Sequence, residues 1–111
     1  MKEKESIVTI KIMPPITIDV NAPREVKIEL DREESTVLVA LSKLYESCGI
    51  PQKIYDETLK QSVHVFWTRT LIKNGIGIGW FGIEGLELKK DSDSSVKGGD
   101  ELAILLPAGG G

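Results

Sequence analysis

The sequence predicts an α+β domain: a mixed sheet carrying one main amphipathic helix on a face and a second, shorter helix. Three observations point there. Val8, Ile10 and Ile12 alternate with polar neighbours, as do Val26, Ile28 and Leu30, and side chains two residues apart share a sheet face. Between residues 35 and 49 the apolar spacing changes to threes and fours, the period of a helix. Beyond residue 61 the chain returns to β-branched and aromatic runs. Strand pairs placed before and after a helix fold back as an α+β roll.

The elements follow in order. After a mixed-charge start, Ile7-Val8-Thr9-Ile10-Lys11-Ile12 is the first strand, and Met13-Pro14-Pro15 breaks it, because proline lacks the amide donor and restricts its predecessor. Ile16-Thr17-Ile18-Asp19-Val20 fits a bulged or edge extension of that strand, before a turn at Asn21-Ala22-Pro23. The second strand, Val26-Lys27-Ile28-Glu29-Leu30, turns back antiparallel to the first. Ser35 or Thr36 can cap a helix whose stripe is Val37 or Leu38, Leu41, Leu44, Tyr45 and Cys48, with Gly49 as its stop. Pro51 suits the first turn of a shorter helix through Ile54, Tyr55 and Leu59, ending near Gln61. Residues 63–72 read as one strand leading to the turn pair Asn74-Gly75. Leu86-Glu87-Leu88 reads as a short strand, Asp91-Ser92-Asp93-Ser94-Ser95 as a loop and Gly98-Gly99-Asp100 as a tight turn. The final strand, from Glu101 to Leu106, is apolar enough to lie centrally with both faces covered.

Composition narrows the function classes. A chain of 111 residues holds one core, expected over residues 7–107 between a flexible start at 1–6 and a flexible tail at 108–111. A net charge of −3, with no basic cluster longer than Lys89-Lys90, argues against nucleic acid as the main ligand. The single cysteine, Cys48, fits a reducing compartment. The first apolar run is too short for a signal core or a membrane span, so a cytoplasmic location without membrane attachment is expected.

Chemistry-bearing patterns are few. Gly77-Ile78-Gly79-Trp80-Phe81-Gly82 spells GxGxxG, but no periodic helix follows it and no βαβ unit fits before the end, so the letters do not make a dinucleotide site. Trp80 and Phe81 read either as an exposed partner contact or as a lid over the core edge. Cys48 sits on the helix stripe and reads as a small core residue. His64, the only histidine, has no second ligand at metal spacing and reads as a strand surface residue; no metal site is expected. The closing Gly109-Gly110-Gly111 has no Cβ along its length, so it can thread a narrow slot and present the Gly111 carboxylate inside another protein. It reads equally as a flexible end.

One stretch separates these readings. Val96-Lys97-Gly98-Gly99-Asp100-Glu101-Leu102-Ala103-Ile104-Leu105-Leu106-Pro107-Ala108-Gly109-Gly110-Gly111 resembles the C-terminal signature of the MoaD/ThiS ubiquitin-like sulfur carriers, in which a Gly-Asp-Glu turn opens an apolar strand that ends in Gly-Gly. The strand end and capped helix from Leu30 to Leu44, with Thr36-Val37 at the helix start, and the Asn74-Gly75 turn are similar to that family as well. The segment 75–85 departs from it, being longer and richer in glycine and aromatics than the family's compact hairpin, and the loop 14–23 is also long.

The resemblance implies a β-grasp fold and a protein cosubstrate rather than an enzyme. It implies that a ubiquitin-activating-type enzyme uses ATP to adenylate Gly111, with Gly109 and Gly110 in the slot and no cofactor resident on this chain. Attack by a persulfide and reductive cleavage would leave a thiocarboxylate; attack by a cysteine thiolate would leave a thioester for transfer to lysines. Molybdopterin or tungstopterin biosynthesis through a synthase large subunit is the favoured destination, because a second helix is typical of the longer MoaD-like members. Thiazole synthesis, tRNA thiolation and conjugation to target-protein lysines are the other members of the class. A non-covalent interaction module with an inert tail is the reading from a different class.

Overall fold

The computed structural model describes residues 6–13 and 24–106. The expected extension at 16–20, the loop 14–23 and the tail from residue 107 lie outside the described residues. Among the described residues the architecture is α+β, with one helix and a mixed sheet of six strands.

Strand β1 (Ile7–Ile12) buries Val8, Ile10 and Ile12 and pairs antiparallel with β2 (Glu25–Glu29), as their alternation requires. A short strand β3 (Glu34–Thr36) leads directly into helix α1 (Val37–Cys48). Thr36 is the cap residue: its backbone is extended and its side-chain oxygen accepts from the Val39 N–H at 3.3 Å. Gly49, at φ 65°, closes the other end. The helix buries Val37, Ala40, Leu41, Leu44 and Tyr45 against the sheet face built from β1 and the later strands.

The next segment corrects the sequence reading. Residues 51–61 hold no second helix; β4 (Lys53–Asp56) and β5 (Gln61–His64) form an antiparallel hairpin. Asp56 is the cause at the local level, because its carboxylate accepts from the Leu59 N–H at 2.8 Å while its carbonyl accepts from the Lys60 N–H at 2.7 Å, turning the chain before a helix can propagate. Tertiary bonds then hold the hairpin down, from Val65 N–H to Gln52 O and from His64 N–H to Ile83 O.

The expected single strand 63–72 is also broken. Hydrogen bonds from Trp67 N–H to His64 O and from Arg69 N–H to Phe66 O make a double turn, with Thr68 at φ 77°, before β6 (Thr70–Lys73) begins. Val65 and Phe66 are buried inside this turn, so its apolar character imitates a strand. Asn74 and Gly75, both at positive φ, make the expected hairpin turn into β7 (Ile76–Phe81), followed by β8 (Leu86–Leu88). A Cβ on Gly79 would lie 2.5 Å from the Glu87 carbonyl oxygen, so the glycine there answers the close approach of β8 and not a nucleotide. Strand β9 (Ser95–Lys97) pairs with β3, and β10 (Glu101–Leu105) completes the fold.

The main sheet runs β2-β1-β10-β6-β7-β8, with β10 parallel to β1 and antiparallel to β6. A polar clamp sets this central strand. The Asp100 carboxylate accepts from the Asn74 side-chain amide and from the Lys97 N–H, each at 3.0 Å, and the Asn74 side-chain oxygen accepts from the Glu101 N–H at 2.9 Å. Backbone bonds from Asn74 N–H to Glu101 O, Thr9 N–H to Asp100 O and Gly99 N–H to Ile7 O tie the same turn to β6 and β1. Burial alone would raise the Asp100 carboxyl, but the hydrogen bonds from Asn74 and Lys97, with the Lys97 and Lys73 charges, hold it below its ordinary value. Lys73, nearly enclosed, donates to Ser95 O at 2.8 Å and pairs with Asp93 at 3.1 Å, fastening β9 over β6.

Replacing Asp100 by alanine leaves two donors without their acceptor and is expected to cost about 2–3 kcal/mol in urea unfolding. The double variant with Asn74→Ala should lose less than the sum of the single losses, since both substitutions cut one network.

Candidate functional site

The site predicted from sequence has two parts: the glycine tail and the aromatic pair Trp80 and Phe81. Gly109, Gly110 and Gly111 lie outside the described residues. The described structure reaches the end of β10, where Leu105 is the last strand residue and Leu106 follows it, exposed. Leu105 stands opposite Thr70, Thr70 opposite Trp80, and Trp80 opposite Glu87. Residues directly opposite share a face, so Leu105, Thr70 and Trp80 form one row. Their chain neighbours Ile104, Leu71 and Phe81 are buried under α1, so this row lies on the other face.

Strand β1 ends beside the same exit. Met13 donates its N–H to Ile104 O at 3.0 Å, and its carbonyl accepts from Arg69 Nη1 at 2.7 Å. Arg69 is buried, and that burial lowers its pKa from the ordinary guanidinium value. Met13, Trp80 and Leu106 are 42%, 44% and 43% exposed, so three large apolar side chains remain in reach of a partner around the point where the chain leaves the sheet.

Farther along the face the character changes. Ala103 and Ile72 lie half-buried opposite one another, and then come the ion pairs Lys11–Glu101 at 3.0 Å and Lys27–Glu25 at 3.6 Å. The hydrogen bond and charge of Glu101 raise the Lys11 pKa. The final strand is therefore central, as expected, but only one of its faces is covered among the described residues. Its apolar residues on the open side, Ala103 and Leu105, stand where water alone would favour polar ones.

Trp80 and Phe81 separate by strand alternation. Trp80 faces outward. Phe81 is 1% exposed, stacked on His64 at 5.2 Å and edge-on to Phe66 at 5.5 Å, so the surface reading of Phe81 gives way to the core-edge one.

His64 needs a correction as well, because it is buried at 5% exposure and is no surface residue. The Phe66 backbone N–H can only donate, so His64 Nδ1 accepts from it at 3.1 Å; Nε2 then carries the proton and donates to Tyr45 Oη at 3.0 Å. The Tyr45 hydroxyl, buried beside it, is held above its ordinary pKa by that burial. Burial first and the Lys53 charge second push His64 down to about 4. Alternation along residues 61–64 could not have revealed this placement, since Val63 and His64 are consecutive and both buried where the strand meets the double turn. Among the described residues no cluster of His, Cys, Asp or Glu could hold a metal ion, and no helix is long and apolar enough to cross a membrane.

Compared with known proteins, the chain matches no family model, no curated protein and no solved structure.

Trp80→Ala is expected to change unfolding free energy by no more than about 0.5 kcal/mol, whereas Phe81→Ala should cost about 3–5 kcal/mol, a contrast read from denaturation of the two variants. His64 supplies a pH test. Above pH 6.5 both folded and unfolded chains keep it neutral; below 6.5 the unfolded chain takes up a proton that the folded chain refuses until about pH 4. Stability should therefore fall across that window, by a few kcal/mol at most, and His64→Gln, which cannot titrate, should flatten the fall.

Proposed function

We propose that this chain is a β-grasp, ubiquitin-like sulfur carrier whose Gly111 carboxylate is adenylated by a partner enzyme and converted to a thiocarboxylate. The observation that carries the reading is strand β10. It is the central strand, fixed at its start by the Asp100 clamp, and it ends on an apolar rim of Met13, Trp80 and Leu106 from which the glycine sequence continues. The parallel pairing of β10 with β1, the antiparallel β1–β2 pair and the helix on one face are compatible with a β-grasp.

The chemistry needs the partner. A carboxylate is a poor acyl donor, because the departing group would be an oxide. Attack of the Gly111 carboxylate on the α-phosphorus of ATP forms the acyl adenylate and expels pyrophosphate. A persulfide from the sulfur-donating partner then attacks the acyl carbon and displaces AMP. A reducing thiol attacks the donor's sulfur in the resulting acyl disulfide, which releases the thiocarboxylate on Gly111 and leaves that thiol joined to the donor as a disulfide; a second thiol then frees the donor. In this scheme the chain contributes position. The open face docks on the activating enzyme through the apolar row at Leu105 and Trp80, and docking raises the concentration of the tail at the adenylation slot. Gly109 and Gly110 fit that slot because a Cβ would widen the stalk.

Molybdopterin or tungstopterin synthesis, through a synthase large subunit, remains the destination that chain length favours. The second helix that supported it over thiazole synthesis is a hairpin here, so that part of the support is withdrawn. A ubiquitin-like modifier would share every step through adenylation and then pass to a cysteine thioester and a target lysine.

Gly111→Val is expected to abolish pyrophosphate release by the activating enzyme of the native host while leaving the melting temperature unchanged. Equal release by variant and wild type would overturn the reading. Intact mass from that host separates the branches, since a sulfur-for-oxygen exchange marks a carrier and conjugates mark a modifier.

A further inference from the structure

The main sheet ends at β2, and no described residue pairs with the outer side of that strand. Its inner side is bracketed by Ile12 N–H donating to Arg24 O at 2.8 Å and by Leu30 N–H donating to Ser6 O at 2.7 Å. Along an antiparallel ladder, residues bonded to one neighbour alternate with residues that point away from it. Arg24, Val26, Ile28 and Leu30 therefore turn their backbone groups toward β1, while Glu25, Lys27 and Glu29 turn theirs off the sheet. Beside this edge runs a shallow groove lined by Lys27, Ile28 and Glu29 of β2 and by Lys43, Glu46 and Ser47 of α1.

Proteins protect such edges with bulges, prolines, very short strands or charges that repel an incoming strand. Strand β2 has five residues in regular register and no proline. Its outward residues alternate in sign as Glu25, Lys27 and Glu29, and an alternating row can meet its own copy favourably if the register suits. A twofold axis through Lys27 sets Lys27 against itself and Glu25 against Glu29, which is repulsive. Moving the axis by one residue to Ile28 sets Lys27 against Glu29 of the second copy on both sides. The same register sets the Ile28 backbones side by side, their side chains already buried in each core, and brings the two grooves together at the axis. Glu25 then faces Asp31, which lies beyond the strand end and pairs with Lys43 of its own chain at 3.2 Å. An axis through Val26 would pair Glu25 with Lys27 but leave the groove to one side.

We propose that a second copy of this chain adds its β2 antiparallel to this edge with Ile28 on the twofold axis, joining the two sheets into one. The exit of β10 lies two strands away, so the surface used for docking the tail stays free in both copies, and the pairing does not depend on the tail chemistry.

Sedimentation equilibrium of the full chain over a concentration series tests it. The expected mass rises from 12.2 kDa toward twice that value as concentration increases. Lys27→Glu and Glu29→Lys should each weaken association about tenfold or more, by turning two attractive pairs into repulsive ones. An equimolar mixture of these two variants should regain it, because both pairs of residue 27 with residue 29 are then opposite in sign. Glu25→Lys should not weaken association, because in this register residue 25 faces Asp31 of the second copy. In the wild-type chain the amides of Glu25, Lys27 and Glu29 should exchange more slowly as concentration rises, a measurement that needs no variant. A monomer at every concentration, no recovery in the mixture, or a loss caused by Glu25→Lys instead of Glu29→Lys would overturn the proposal.

Discussion

The Asp100 carboxylate governs the position of the strand on which everything else is registered. Strand β10 must run parallel to β1 and antiparallel to β6 at once, and a one-residue slip would turn Leu102 and Ile104 out of the core. Parallel pairing has no tight turn to fix its register, so a side chain must do it. Asp100 does so by accepting from the Lys97 N–H in its own turn and from the Asn74 amide at the start of the neighbouring hairpin, while Asn74 accepts from the Glu101 N–H. One carboxylate and one carboxamide thus align three strands, and the desolvation that works against the charged form is offset by these donors.

With the central strand fixed, the two faces of the sheet divide the work. The inner face takes α1, the β4–β5 hairpin and the aromatic group of Tyr45, His64, Phe66 and Phe81, and it supplies nearly all of the buried apolar area. The outer face grades from ion pairs at Lys11 and Lys27 to the apolar rim at Met13, Leu105 and Trp80. Surface ion pairs add little to stability, so their value on this face lies in orientation and solubility. The apolar rim adds little to the fold either. Its chemistry suits contact with another protein at the point where the glycine sequence departs.

Much of this was legible in residue order. Alternation at β1 and β2, the Thr36 and Gly49 caps, the Asn74-Gly75 turn and the Gly98-Gly99-Asp100 turn all rest on local physics, and each stands in the structure at the expected residues. The second helix did not survive, because Ile54, Tyr55 and Leu59 satisfy a helical stripe and a hairpin equally well over so few residues. Asp56 and the long-range bonds to Gln52 and Ile83 decided between them. The run 63–72 hid a double turn because Val65 and Phe66 are apolar for reasons of burial and not of strand geometry. Of the rim, Trp80 was legible by residue type, but not its separation from Phe81, nor the contributions of Met13, Leu105 and Arg69.

The sequence by itself determined the α+β class, the capped main helix, the turns and the apolar final strand, because each is written in spacing or in backbone preferences that act over a few residues. Only the tertiary structure decided that, among the described residues, one face of β10 stays open, His64 is buried and neutral, and β2 ends the sheet with Glu25, Lys27 and Glu29 pointing outward. Those properties depend on which distant strands meet and on what covers them, and an apolar residue has the same identity whether a helix or another protein is to lie against it.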